Sequence, residues 1–154
     1  GIETKLRAAH LLSACGEMTI VAHARKHRLP DLLTGNHLGT LFLPRSKRMG
    51  SRKRWIGFAS PARGTIVVDE GAVKAIVRLG RSLLPAGVTD CEGTFRVGDV
   101  IRVVDGQGRE IGRGLSRYGS DDLDRIRGLR SSAVEKALGH KAQEVIHRDD
   151  LVLT

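Results

Sequence analysis

Aromatic side chains are almost absent from this chain. Of its 154 residues only Trp55, Tyr118, Phe42, Phe58 and Phe95 are aromatic, so a core must be built from Leu, Ile, Val and Ala, and little material remains for a platform on which nucleobases could stack. Long apolar runs are missing too. None approaches the ~20 residues that cross a bilayer, and the N-terminus has no basic leader followed by an apolar stretch. A soluble, cytoplasmic protein with no membrane partner is the expectation. Cysteine is limited to Cys15 and Cys91, which lack metal-ligand spacing and are expected to stay free thiols in a reducing compartment. His10, His23, His27, His37 and His140 show no repeating ligand spacing either, so no metal site is expected. Internal repeats and low-complexity tracts are also lacking.

What is present is concentrated between Arg81 and Tyr118. Four apolar runs (Leu83 with Leu84, Val97, residues 100–104, and Ile111 with Leu115) are separated by Pro85-Ala86-Gly87, Glu92-Gly93, Gly98-Asp99 and Asp105-Gly106-Gln107-Gly108, the punctuation of short antiparallel strands in a compact β-barrel or sandwich. The β-branched residues 100–104 run straight into an Asp-Gly turn, and residues 109–115 read as the return strand of a hairpin.

Charge is distributed unevenly. The net charge is +9, yet residues 44–63 hold seven basic residues and no acidic one, while residues 64–154 hold fourteen of each. The excess therefore sits on a short connector. Arg45, Lys47, Arg48, Arg52, Lys53 and Arg54 could form a polyanion site; the alternative is a solvated linker in which residues 53–56 make a short helix.

Taken in order, residues 6–16 read as an Ala- and Leu-rich helix with Thr4 or a neighbour near its N-cap and Gly16 at its end. Gly, a hydroxyl residue and Lys at a helix start suit an anion such as phosphate, although an ordinary capped helix gives the same pattern. Residues 18–22 and 39–44 read as strands, with a brief helix at 29–35. Two strands in 43 residues cannot cover both faces of a sheet, so apolar surface should be left open unless another part of a larger protein, or another copy, covers it. Residues 64–69 form a strand and 69–79 a helix with acids first and bases last, matching the helix dipole. Its apolar stripe is Ala72, Val73, Ile76, Val77 and Leu79, and Gly80 stops it. Serine-capped helices are expected at 120–126 and 131–139, and residues 144–153 close the chain as strand, turn, strand. His147-Arg148-Asp149-Asp150 reads as a hydrogen-bonded turn rather than a reactive cluster, because neighbouring residues on a strand or turn point different ways. Asp121, Asp122 and Asp124 read as helix-start acids.

Several separate words, in one order, resemble the C-terminal part of bacterial glutamate 5-kinases: Gly1 to Lys5 with Leu6-Arg7-Ala8-Ala9, Gly39-Thr40-Leu41-Phe42, Arg52-Lys53-Arg54-Trp55-Ile56, Val68-Asp69-Glu70-Gly71-Ala72, Ser82-Leu83-Leu84-Pro85-Ala86-Gly87-Val88, Gly98-Asp99-Val100, Gly114-Leu115-Ser116-Arg117-Tyr118 and Val145-Ile146-His147-Arg148-Asp149-Asp150. The resemblance implies an α+β or α/β chain: residues 1–43 as the end of an αβα-sandwich amino-acid kinase domain, 44–63 as a basic linker, and 64–154 as a PUA domain, a β pseudo-barrel with flanking helices. It implies an ATP- and Mg-dependent parent enzyme that phosphorylates the side-chain carboxylate of L-glutamate at the start of proline biosynthesis. The family's nucleotide-binding loop ends in a Thr-Lys pair, which falls here on Thr4 and Lys5, with Gly1 as the last loop glycine.

Phosphoryl transfer to a carboxylate needs the nucleotide, a divalent cation and several cationic groups held in line. The resemblance leaves only Lys5 of that set in this chain. The expectation is that these residues alone are inactive, that no catalytic residue is retained, that the missing N-terminal kinase region is a partner, and that the protein is a homo-oligomer. Two other roles compete. One is a stand-alone RNA-binding PUA module, which the neutrality of residues 64–154 disfavours. The other is a purely structural or assembly role.

Overall fold

The computed structural model describes residues 1–36, 38–44 and 49–154, and the chain divides into two compact units, Gly1–Gly50 and Ser51–Thr154. The first unit follows the expected α-β-α-β order. Helix α1 (Ile2–Ala14) begins earlier than the composition suggests, with Gly1 at its N-cap and no side-chain cap. Thr4 and Lys5 are thus inside the first turns and do not cap them. Residues 2–5 carry no helix breaker, so they join the helix. Strands β1 (Thr19–Val21) and β2 (Thr40–Phe42) pair antiparallel on either side of a short helix α2 (Leu29–Leu33) that has Pro30 in its first turn. The unit buries few side chains, chiefly Ala9, Ser13 and Cys15. Ser13 donates its hydroxyl to the Leu43 carbonyl at 2.5 Å, and His10 meets Phe42 edge-on.

The second unit starts inside the stretch expected to be a linker. Helix α3 (Ser51–Arg54) runs directly into a π-helical turn, Trp55–Ala59, whose Ile56 is fully buried. Gly57 lets this turn lie against the sheet, because a Cβ there would come within 3.0 Å of Val152 Cγ1. Within the connector Ile56 and Gly57 are buried and Phe58 half-buried, while Trp55 stays exposed.

Strand β3 (Gly64–Val68) then leads into α4 (Glu70–Leu79). Asp69 caps α4 by accepting from the Ala72 N–H at 2.7 Å, and Gly80, at φ +58°, ends it in the left-handed region that glycine alone enters without strain. The α4 stripe is narrower than expected. Ile76 is buried, whereas Val77 and Leu79 lie on the open side and are exposed.

Three more strands and an edge complete the sheet: β4 (Val88–Gly93), β5 (Val100–Asp105), β6 (Glu110–Leu115) and β7 (Leu151–Leu153), in spatial order β4-β3-β5-β6-β7. The β5–β6 hairpin forms as expected, from Val100 opposite Leu115 to Val104 opposite Glu110, and β3 beside β5 is the one parallel pair in it. Strand β4 is a correction. It runs through Cys91 and on into Glu92-Gly93, which read as a turn, and it escaped notice because only Val88 along it is buried. Conversely, Val97 is exposed outside any strand, and Leu83 makes an isolated bridge with Ile146 rather than a strand of its own.

Helices α5 (Ser120–Ile126) and α6 (Ser131–Leu138) flank the sheet. Neither serine caps its helix. Gly119 and Arg130 hold the N-cap positions without side-chain bonds, and the serines are the first helical residues. The core gathers Ile66, Val68, Ile76, Leu83, Val88, Phe95, Ile101, Val103, Tyr118, Leu123, Ile126, Val134, Val145, Ile146 and Leu151. Aliphatic residues dominate it, as the shortage of aromatics requires.

Candidate functional site

Gly1, Thr4 and Lys5 share the first turns of α1 and are all exposed. The same turn carries Glu3, which pairs with Arg7 at 3.3 Å. An acid in the first turn competes with any bound anion for the free N–H groups there. These residues form no enclosed nucleotide site by themselves, and no step of a phosphoryl transfer can be drawn through them. Among the described residues no group of three His, Cys, Asp or Glu could hold a metal ion.

The basic connector is only partly in view. Arg45, Lys47 and Arg48 lie outside the described residues. Arg52 is tied to Asp150 at 2.8 Å, Arg54 approaches the Ser51 hydroxyl at 3.4 Å, and Lys53 is half-buried on α3. Asp150 ends a 3-10 turn (Arg148–Asp150) in which the His147 ring accepts from the Asp149 N–H at 3.2 Å. The His147-Arg148-Asp149-Asp150 word is therefore a turn, and its last acid holds Arg52.

The Gly114-Leu115-Ser116-Arg117-Tyr118 word is structural as well. Ser116 donates its hydroxyl to the Tyr118 carbonyl at 2.7 Å, and the buried Tyr118 hydroxyl accepts from the Gln143 N–H at 2.9 Å while donating to the Gln143 carbonyl at 3.2 Å. Gly114 admits no side chain, since a Cβ would stand 2.5 Å from Ile146 Cγ2 and 3.0 Å from the Asp150 carbonyl. Cys15 and Cys91 are not joined in a disulfide. Burial, with Asp124 nearby, pushes the Cys91 thiol above its ordinary value, which leaves it a poor nucleophile.

A cleft that the sequence reading missed lies between α4 and the tip of the β5–β6 hairpin. It has a volume of about 400 Å³, with Val73, Lys74, Val77 and Arg78 on the α4 side and Asp105, Gln107 and Arg109 on the hairpin side. The helix side follows from spacing, since 73, 74, 77 and 78 share one face. The hairpin side is braced by Asp105. One of its carboxylate oxygens accepts from the Gln107 and Arg109 N–H groups, each at 2.9 Å, and the other accepts from Arg109 Nε at 2.8 Å. The Arg109 backbone donor, followed by its guanidinium and the Gln107 N–H, holds the Asp105 carboxyl below the usual carboxylate range.

A family model described as "PUA domain" matches residues 64–138. Two curated relatives, both named glutamate 5-kinase, are similar across 99% of this chain: one from Syntrophotalea carbinolica is 43% identical and one from Thermoanaerobacter sp. is 44% identical. Over nearly its whole length the chain is thus similar to members of the glutamate 5-kinase family. It matches the C-terminal part of that family's proteins and spans about 42% of the length of these relatives. A crystal structure of a PUA domain from Aeropyrum pernix superimposes over 56% of this chain and 43% of its own at 25% identity, with a TM-score of 0.41, too loose a fit to carry an argument. The placement of the words that carry the resemblance is informative. Those in the second unit are used for turns, close packing and core hydrogen bonds, and Thr4 with Lys5 are the exposed pair the family resemblance assigns to nucleotide.

Proposed function

We propose that this chain contributes to an ATP- and Mg-dependent glutamate 5-kinase, which forms L-glutamyl 5-phosphate, and that it has no kinase activity by itself. The observation that carries the reading is the match along 99% of the chain to proteins named for that activity. In this reading residues 1–43 are the end of the amino-acid kinase domain, residues 64–154 the PUA domain with a regulatory or structural role, and Gly1, Thr4 and Lys5 one border of the nucleotide site. The first unit supports it. Ile2, Met18, Leu29, Leu33, Leu41 and Leu43 are all more than half exposed, far more apolar surface than so small a unit leaves open when complete. The remainder of the kinase domain is the partner that would cover it.

The test compares two proteins in a hydroxamate-trapping assay with glutamate, ATP and Mg. The chain alone should give no product, whereas the chain joined to the upstream part of the Thermoanaerobacter relative should. Product from the chain alone would overturn the inactivity. A folded chimera without activity would overturn the kinase reading.

A further inference from the structure

The geometry points to the cleft between α4 and the β5–β6 tip as a binding site for a small carboxylate with an aliphatic body. This goes beyond the kinase reading, because it concerns the second unit only. Shape is the first argument. A volume of about 400 Å³ falls in the range of roughly 300–1,000 Å³ typical of small-ligand sites, and Val68, Val73 and Val77 give it an apolar side. Val77 lies over it, 48% exposed, although it belongs to the same helix as the buried Ile76. A helix that can bury its stripe gains nothing by leaving a valine over a groove unless something apolar covers it.

Charge is the second argument. Lys74, Arg78 and Arg109 line the cleft against Glu70 and Asp105. Asp105 is consumed by the hairpin tip, and it engages Arg109 only through Nε, so the outer guanidinium nitrogens of Arg109 remain accessible, its side chain being 73% exposed. Glu70 stands 3.8 Å from Lys74 with both side chains in water, an attraction of little strength. Arg78 has no acidic partner among the described residues. A carboxylate can take a guanidinium fork with two parallel hydrogen bonds while its chain lies on Val73 and Val77. Inorganic phosphate would gain the charge contact and lose the apolar one. An RNA strand would gain the charge contact but nothing from Val73 and Val77.

Rigidity is the third argument. The donors that converge on Asp105 fix the hairpin tip before any ligand arrives, so little ordering cost is charged to binding.

The test titrates sodium hexanoate into the isotopically labelled 154-residue chain and follows amide shifts, with hexanol, inorganic phosphate and a short single-stranded RNA as parallel titrants. Saturable hexanoate shifts confined to residues 73–78 and 105–109 are expected, with hexanol and phosphate each much weaker. A charge-assisted hydrogen bond has a strength of about 1.5–3 kcal/mol, so Arg78→Gln should weaken hexanoate by roughly tenfold or more. Val77→Asp, at an exposed position that leaves the fold intact, should abolish it. Absence of saturation would overturn the proposal, as would equal affinity for hexanol, tighter binding of phosphate or RNA at these residues, or an Arg78→Gln variant that binds hexanoate unchanged.

Discussion

Replacing Ile56 by alanine separates a packed clasp from a passive linker. Ile56 sits in the π-helical turn and is fully buried. The change removes three carbons at roughly 0.8 kcal/mol each, about 2.4 kcal/mol in transfer terms. The surrounding turn cannot fully collapse, because Gly57 already brings its backbone against Val152, so the cavity should carry the cost into the range of about 2–5 kcal/mol seen for such truncations. Urea unfolding is a suitable assay, for Trp55 is the single tryptophan of the chain and sits next to the mutated residue. With a urea slope of about 1–3 kcal/mol/M, the midpoint should fall by on the order of 1–2 M. Far-UV circular dichroism should fall at the same urea concentration as Trp55 fluorescence, since the turn packs directly on β6 and β7 of the sheet. A midpoint shift below about 0.2 M, well short of what this burial requires, would refute the reasoning and return residues 51–59 to the status of a solvated connector.

Two further changes probe the second unit. Tyr118→Phe keeps the ring but removes both hydrogen bonds to the Gln143 backbone, and at about 0.5–1.5 kcal/mol each should cost about 1–3 kcal/mol, read as a lower thermal midpoint; an unchanged midpoint would show that these contacts are not needed. Asp105 sets an acid limit. Its carboxyl is held below the ordinary value by the donors around it, so its contribution to stability is fully present above the unfolded value of about 3.9 and is lost as pH falls through the lower folded value. Asp105→Asn should therefore lower the thermal midpoint at pH 7 and flatten its fall between pH 5 and 2, limits on the order of those expected for a depressed aspartate; a variant with the parent's acid profile would contradict this.

How legible the fold was depended on whether local pattern and tertiary role agreed. The β5–β6 hairpin was readable because a run of β-branched residues and an Asp-Gly turn specify the same thing. Helix α4 was readable at both ends, where Asp69 and Gly80 act locally, but not across its width. Which of Ile76 and Val77 is buried depends on where the hairpin tip lies, and spacing along the helix does not contain that. Strand β4 was invisible for the opposite reason: an edge strand with a single buried residue leaves almost no apolar signal, and it forms because β3 offers it a ladder. The cleft was missed because its two sides are some thirty residues apart, Val73 to Asp105. Neither side carries a motif, and only the fold brings Arg78 and Arg109 to one groove.

The charge count also changes meaning once pairs are drawn. Residues 64–154 balance on paper, and in the structure much of that balance is local: Arg113 with Glu110, Arg117 with Glu144, Arg127 with Asp90 and Asp124. The balance is not closed within those residues, however. Asp150 takes its partner from α3, so Arg52 is spent on holding the clasp to the second unit rather than on presenting charge to a polyanion. Attraction of a nucleic acid scales with the cations free to release counterions, and each basic residue so engaged subtracts from it. The basic connector thus divides by role. From α3 through the π-helical turn it serves packing, with Ile56 buried and Arg52 paired, and any polyanion contact would have to draw on Lys53, the exposed Arg63 and the residues that precede Ser51.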